Sequence, residues 1–275
     1  MGDGETVNYA LLTAAADRPD ALKRAHETAV ELGRRGIEAV VCELDALGGV
    51  ELPEDALVVS LGGDGTFLRA ARVAHRFGAR VLPVHLGRLG FLLNVPMEEI
   101  TSAVLEALAS NDAVERLALS IRMSGEATTH FALNEVVLER FDAGRMVRVL
   151  TLVDEEEYLT YTADSVMVAT ATGSTAYNFS AGGPVVDPSL DVLILTPVAP
   201  HFTIDRSIVV SGERTISLLV KERSANVVID GRLAGALAPG DTLTVTRQFD
   251  PVKVVYSSTF GLGHRLRSNL REGHA

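Results

Sequence analysis

The chain has 275 residues, more than one domain usually holds, and this length favours two domains. Its 25 basic and 36 acidic residues leave a net charge of −11, which excludes proteins that bind nucleic acid or anionic membranes through their overall charge. The single Cys42 cannot form an internal disulfide, and neither a long apolar run nor a secretory leader is present, so we expect a cytoplasmic protein.

The first part of the chain alternates strand-like and helix-like patterns. Strands are predicted at residues 9–14, 37–44, 56–61 and 80–85, and helices at residues 20–35, 66–77 and 97–110. Continuous apolar strands that alternate with amphipathic helices indicate a parallel sheet with helices on both faces. We therefore predict an α/β domain over residues 1–112.

The pattern changes after residue 112, where short alternating segments are separated by turn residues. Strands are predicted at residues 117–123, 131–139, 146–153, 165–170, 192–195, 215–220, 227–230 and 243–247. The pair Asp230-Gly231 is a hairpin signal. Residues 113–275 are therefore predicted to form a β-rich domain. A short basic helix is predicted at residues 263–271, and residues 251–275 could pack either on this domain or back on the first.

The most informative motif is Gly62-Gly63-Asp64-Gly65-Thr66, between an apolar strand and an amphipathic helix. This is the carboxyl end of a parallel strand, where α/β proteins bind ligands. Glycines let the backbone approach an anion, and a helix N-terminus favours negative charge, so phosphate is the expected ligand. Asp64 would repel phosphate unless it accepts a proton or holds a metal ion. The alternative is a tight turn in which Asp64 caps the helix.

A second glycine-rich turn, residues 87–93, follows the next predicted strand. Because carboxyl ends of neighbouring parallel strands share one sheet edge, the two turns are expected to lie side by side and form a cleft. The alternative is an ordinary connection between two elements.

Two polar features stand out in the second half. Asn134 and Glu135 come at the start of an apolar strand, where an amide and a carboxylate could bind ribose hydroxyls or an adenine edge, or simply end the strand. Residues 170–184 are dense in hydroxyls and glycines. A helical turn from Gly173 would offer N–H groups and hydroxyls to a polar ligand, with the Tyr177 ring for stacking. The alternative is a surface loop.

Together, and in this order, these motifs resemble the NAD kinase family over roughly residues 56–232. The first motif is shared with diacylglycerol and sphingoid-lipid kinases, whereas residues 172–183 following Asn134-Glu135 make the resemblance specific. A lipid kinase would need an apolar substrate pocket and a means of touching membrane. A noncatalytic dinucleotide sensor would be favoured by loss of Asp64 or of the Asn134-Glu135 pair, and these residues are present.

The resemblance implies an α/β nucleotide domain and a β-rich dinucleotide domain, with the active site between them. It implies transfer of a phosphoryl group from ATP, or from polyphosphate, to the 2′-hydroxyl of the adenosine ribose of NAD, giving NADP. It also implies a divalent ion such as Mg²⁺ and a homodimer or homotetramer, with no nucleic-acid or membrane partner.

Residue roles follow from the same resemblance. Asp64 would be the base, and Gly62, Gly63, Gly65 and Thr66 would line the phosphates. The residues that would hold NAD are Asp64, Gly65, Asn134, Glu135, Arg145, Asp164, Thr175, Ala176, Tyr177, Asn178, Phe179, Ser180, Ala199 and Arg232. The motifs assign no metal ligands. Ser165, Ala171 and His85 replace the family's usual glycine, proline and asparagine, which leaves donor choice and the preference for NAD or NADH open.

Overall fold

The structure, a computed structural model, describes residues 8–53, 55–87, 92–93, 95–110 and 112–256. These residues fall into two units. The first contains the described residues up to Glu115 together with those from Val252 onward, and the second is Arg116–Pro251. The second unit is therefore an insertion between two segments of the first. The predicted domain boundary between residues 112 and 113 remains a prediction.

The described elements of the N-terminal segment alternate strand and helix. In chain order they are β1 (Tyr9–Ala14), α1 (Pro19–Gly33), β2 (Glu38–Glu43), β3 (Leu57–Gly62), α2 (Asp64–Arg76), β4 (Arg80–His85), β5 (Val95–Pro96), α3 (Ile100–Ala109) and β6 (Val114–Arg116).

The rest of the described chain is almost entirely β-structure. Its elements are β7 (Leu119–Met123), β8 (Thr129–Ala132), β9 (Glu135–Arg140), β10 (Val147–Val153), β11 (Glu156–Ala163), β12 (Ser165–Thr170), α4 (Tyr177–Ser180), β13 (Val192–Val198), β14 (Ile208–Ser211), β15 (Ile216–Val220), β16 (Ala225–Ile229), β17 (Arg232–Leu237), β18 (Thr242–Arg247) and β19 (Val252–Val254).

The first unit contains a sheet in the order β2-β1-β3-β4-β19-β6, with β5 on β4. The pairs that join β1, β2, β3 and β4 are parallel. Every residue of β1 and β3 is buried, as expected for central strands covered on both faces. Helix α1 buries Ala21, Ala25, Thr28 and Leu32, a spacing of one helical face.

The second unit is a sandwich of two antiparallel sheets. Their strand orders are β11-β10-β15-β18-β7-β8 and β14-β13-β12-β9-β16-β17. Alternate residues of β16 are buried, and apolar side chains from both sheets form one core that contains Val149, Tyr161 and Val227. The predicted fold class, a parallel-sheet α/β domain followed by a β-rich domain, is confirmed.

Several predicted elements need correction. The strand predicted at residues 131–139 is two strands, because the chain turns at Leu133 and Asn134 between β8 and β9. Six described strands were not predicted: β5, β6, β11, β14, β17 and β19. β11 pairs with β10 through a turn at Asp154 and Glu155, whose φ angles are 50° and 70°. Glycine is the usual sequence signal for such a turn, and this turn contains none. The helix predicted at residues 263–271 lies outside the described residues.

The end of the described chain returns to the first unit. β19 pairs in parallel with β4, with Lys253 opposite Arg80 and Val254 opposite Val81. This three-residue strand is too short to carry a period-2 signal, which explains why the sequence did not reveal it. None of the helices in the described ranges has both the length and the apolarity to cross a membrane.

Candidate active site

The predicted phosphate loop joins β3 to α2. β3 ends at Gly62, Gly63 is the N-cap in an extended conformation, and α2 begins at Asp64. The N–H groups of Thr66 and Phe67 both donate to the Gly63 carbonyl, at 3.0 and 3.1 Å. A side chain at Gly62 would collide with that of Thr66. Gly62 is therefore required by close packing rather than by backbone angles.

The surroundings of this loop favour an anion. Gly63 and Gly65 are exposed and Asp64 is half-buried, so the first turn of the 13-residue helix α2 is accessible. That turn carries N–H groups that helical hydrogen bonds do not use and a partial positive charge. The helix begins two residues earlier than predicted, which places Asp64 in its first turn.

The neighbouring strand ends at the same edge of the sheet. Gly62 of β3 lies opposite His85 of β4 in parallel register, and His85 Nδ1 lies 3.1 Å from the Gly87 carbonyl oxygen. Residues 88–91 of the predicted second glycine turn lie outside the described residues, so the predicted cleft remains a prediction.

In the second unit Asn134 immediately precedes β9 and Glu135 begins it. Consecutive residues can serve the same site at the end of a strand, where the alternation of side chains no longer separates them. Each side chain is only 5% exposed. Among the described residues, Asn134 Oδ1 and Glu135 Oε2 are buried without a hydrogen-bond partner. A buried polar atom without a partner is costly, and here two such atoms belong to adjacent residues, so a single polar ligand could satisfy both.

Burial changes the chemistry of Glu135. Burial first, and then the negative charge of Asp230, raise the pKa of Glu135 to about 8, while a hydrogen bond from the Tyr177 N–H opposes this rise. The Glu135 carboxyl is therefore mostly protonated at neutral pH and can donate a hydrogen bond.

The polar tract at residues 170–184 folds as a 3₁₀ turn, Thr172–Thr175, followed by α4. It is tied to the start of β9. The Thr170 hydroxyl donates to the Leu133 carbonyl at 2.6 Å and accepts from the Gly173 N–H at 3.0 Å. A side chain at Gly173 would collide with the backbone of Asn134. Gly173 thus lets this turn approach the Asn134-Glu135 pair.

Asn178 was predicted to contact NAD, but its side chain lies inside the protein. It is fully buried, and its amide donates to the carbonyls of Ser174 and Pro184 at 3.2 and 3.1 Å. Its oxygen accepts from the Thr196 hydroxyl at 2.6 Å. Both amide protons are used inside the protein, so the structure supports a role in holding the turn rather than in donating to NAD.

The remaining predicted NAD residues are more accessible. Thr175 and Ala176 are half-buried, while Tyr177, Phe179, Ser180, Arg145, Ala199 and Arg232 are exposed. Ala199 has a φ of 47°, an unusual conformation for a residue with a side chain. Asp164 forms a 2.7 Å ion pair with Arg140. Their contacts with NAD remain predictions.

The sequence analysis treated Asp230 only as a turn residue and as part of the family pattern. In the structure its carboxylate accepts hydrogen bonds from three consecutive N–H groups, those of Leu133, Asn134 and Glu135. No sequence signal links residue 230 to residue 134, because the two are joined only by the pairing of β9 with β16.

Comparisons with known proteins agree with this architecture. The model of the ATP-NAD kinase N-terminal domain matches residues 53–113, and that of the C-terminal domain matches residues 133–257. NAD kinase 1 of Streptomyces coelicolor is 38% identical over 269 residues, which cover 83% of this chain and 72% of the relative. The chain belongs to the NAD kinase family. A further relative, the NAD kinase of Heliobacterium modesticaldum, is 36% identical over 94% of this chain and 96% of its own. NAD kinases are phosphotransferases.

Two solved structures share the fold. The yeast NADH kinase complexed with NADH has a TM-score of 0.85 at 21% identity, covering 98% of this chain and 90% of its own. The NAD kinase from Archaeoglobus fulgidus in complex with ATP has a TM-score of 0.73 at 27% identity, covering 94% of this chain and 98% of its own.

The lipid-kinase alternative rested on the first motif alone. It has no support, because NAD kinase family models match both halves of this chain.

Proposed function

We propose that this enzyme transfers the γ-phosphoryl group of ATP to the 2′-hydroxyl of the adenosine ribose of NAD, giving NADP. The observation that carries the proposal is the position of Asp64. It lies in the first turn of α2, directly after the buried strand β3 and among the glycines of a loop suited to phosphate. Membership of the NAD kinase family supplies the substrate class.

In this proposal Gly62, Gly63, Gly65 and Thr66 line the phosphates. Thr66 does so with its side chain, because its N–H donates to the Gly63 carbonyl. Asp64 accepts the proton of the attacking 2′-hydroxyl. Phosphoryl transfer depends mainly on positioning and on stabilisation of charge, so the loop supplies most of the effect, and a general base adds roughly 10² to 10⁴-fold.

The second unit is proposed to hold the dinucleotide. Asn134 and Glu135 supply directional hydrogen bonds, and the exposed Tyr177 supplies a ring for stacking. The other proposed contacts come from Asp164, Thr175, Ala176, Phe179, Ser180, Arg145, Ala199 and Arg232. Asn178 takes part by holding the turn that carries them.

A divalent ion, Mg²⁺ by preference, is part of the proposal. No group of three metal-ligating side chains occurs among the residues that the structure describes. Mg²⁺ usually needs only one or two carboxylates, with substrate phosphates and water completing its shell. The phosphate loop at the start of α2 would hold the substrate phosphates that supply most of these ligands, which leaves the Asp64 carboxylate to accept the proton. Bound there, the ion would neutralise charge on the transferred phosphoryl group.

We further propose that the enzyme works in the cytoplasm as a homodimer or homotetramer. The edge strand β17 supports association. Among the described residues it pairs only with β16, and its Leu233 is 70% exposed. Sedimentation equilibrium would test this state, and a mass of 29.3 kDa at all concentrations would contradict it.

The test of the function is direct. The pure protein is incubated with NAD, ATP and Mg²⁺, and NADP is read with an NADP-specific dehydrogenase. Parallel reactions replace ATP with polyphosphate and NAD with NADH, which decides donor and acceptor preference. Absence of product with either donor would overturn the proposal.

A further inference from the structure

The turn at Asp230 joins β16 to β17 and forms hydrogen bonds with the start of β9. Asp230 and Gly231, with φ angles of 45° and 74°, close the hairpin between β16 and β17. The Asp230 carboxylate accepts from the N–H groups of Leu133, Asn134 and Glu135 at 3.0, 2.9 and 3.2 Å. In return, the Asp230 N–H donates to the Glu135 carbonyl at 3.0 Å. Four hydrogen bonds thus fix the backbone at the start of β9.

The same carboxylate also sets the electrostatics of Glu135. The strands that flank β9 are β12 and β16, and their sequences contain no charged residue. The turn beside it contributes Tyr177, whose N–H donates to the Glu135 carboxyl, and β17 contributes the exposed Arg232. Burial contributes most to the raised pKa of Glu135, and the negative charge of Asp230 raises it further.

We propose that Asp230 is a positioning residue for substrate recognition, which holds Asn134 and Glu135 so that they present one acceptor and one donor to a neutral edge of NAD. This inference rests on the proposed function. The acceptor is Asn134 Oδ1, and the donor is the Glu135 carboxylic acid at Oε2. Both atoms are buried and have no hydrogen-bond partner among the described residues.

A pH series of NAD binding tests the inference. Calorimetry with NAD alone, from pH 6.5 to 9.5, uses the full chain without ATP. The dissociation constant is expected to rise about tenfold for each pH unit above 8, with uptake of about one proton per NAD bound at pH 9. Asp230→Asn keeps an acceptor for the N–H groups but removes the charge that helps to raise the pKa of Glu135. The dissociation constant of this variant should therefore begin to rise at a lower pH.

Two further variants separate charge from structure. Glu135→Gln retains a donor and an acceptor, and its NAD affinity should lose the rise above pH 8. Asp154→Asn is the matched control, because Asp154 also lies in a hairpin with positive φ and accepts the Thr215 N–H at 2.8 Å, but belongs to the other sheet. Its pH profile should coincide with that of the unmodified protein.

Several results would overturn the inference. They are a flat profile in the unmodified protein, an Asp230→Asn profile that coincides with it, and a large loss of affinity at every pH in Glu135→Gln. If Asp230→Asn does not fold, a ¹³C NMR titration of the Glu135 carboxyl in the unmodified protein decides, since titration near pH 4.5 would contradict a donor role. NADP formation with a flat binding profile defeats only this inference, whereas the expected profile without NADP formation defeats only the kinase proposal.

Discussion

At the scale of single residues, Asp64 and Glu135 are both carboxyl groups, yet their surroundings prepare them for opposite tasks. Asp64 lies at an accessible helix N-terminus, where an anion is stabilised. Glu135 is buried beside another carboxylate, and its pKa rises to about 8. One group is thus suited to accept a proton and the other to keep one.

Asp64→Asn is expected to bind NAD almost normally and to turn over 10² to 10⁴-fold more slowly, because it removes a general base and keeps the shape of the loop. Steady-state kinetics and calorimetry measure the two effects. Asp45→Asn is the control, since Asp45 only pairs with Arg69 at an exposed site, and its turnover should stay within about twofold of normal. Unchanged turnover in Asp64→Asn would show that Asp64 is not the base.

Glu135→Gln is expected to stabilise the protein at pH 8 but not at pH 5. The raised pKa of Glu135 means that its contribution to stability is complete below pH 4.5 and is lost as pH rises to about 8. Over that window the unmodified protein loses on the order of 1 kcal/mol of unfolding free energy per pH unit from this group. Denaturant unfolding at both pH values measures the difference.

The control for that measurement is Glu139→Gln, which changes a half-exposed carboxylate farther along the same strand. Its effect on the free energy of unfolding should be small at both pH values. If Glu135→Gln differs from the unmodified protein by the same free energy of unfolding at pH 5 and at pH 8, Glu135 does not titrate in the proposed manner.

At the scale of elements, the long regular elements and the local glycine motifs were predictable, whereas the contacts between elements distant in sequence were not. β1, β4 and β12 match their predicted limits because local apolar runs determine them. The break between β8 and β9 escaped notice, since the residues that cause it, Thr170 and Asp230, are distant in sequence. The polar pair at residues 134 and 135 was predictable as a motif, but its burial was not.

Gly173→Ala tests the contact between the polar turn and β9. The new Cβ would collide with the Asn134 backbone, which cannot move aside as a flexible side chain could. We expect a loss of about 1 to 3 kcal/mol in unfolding free energy and weaker NAD binding. Gly33→Ala at the end of α1 has open space around it and should change stability by less than about 1 kcal/mol. Equal stability of the two variants would contradict the close packing.

At the scale of the whole molecule, the second unit is an insertion whose ends lie close together. The Gln248 N–H donates to the Ala118 carbonyl at 2.7 Å, and Arg247 pairs with Leu119. The unit has its own apolar core between two sheets. Nearby termini and a separate core are the properties of a domain that can fold alone.

The fragment 116–251 is therefore expected to fold without the rest of the chain. It should show a β-rich circular dichroism spectrum and a cooperative thermal transition. The fragment 116–230 is the matched control. It lacks β18, which lies between β15 and β7, so it should remain unfolded. A longer fragment without a cooperative transition would mean that the second unit depends on the first.

The amino-acid sequence determined the fold class, the family and the motifs, because apolar periodicity and the glycine loop at Gly62 to Thr66 are local properties. The pairing of distant strands settled the rest. It placed Asp230 on the start of β9, buried Asn178 inside its turn and raised the pKa of Glu135. Hydrogen bonding and desolvation depend on neighbours in space, and those neighbours lie up to 97 residues apart in the chain.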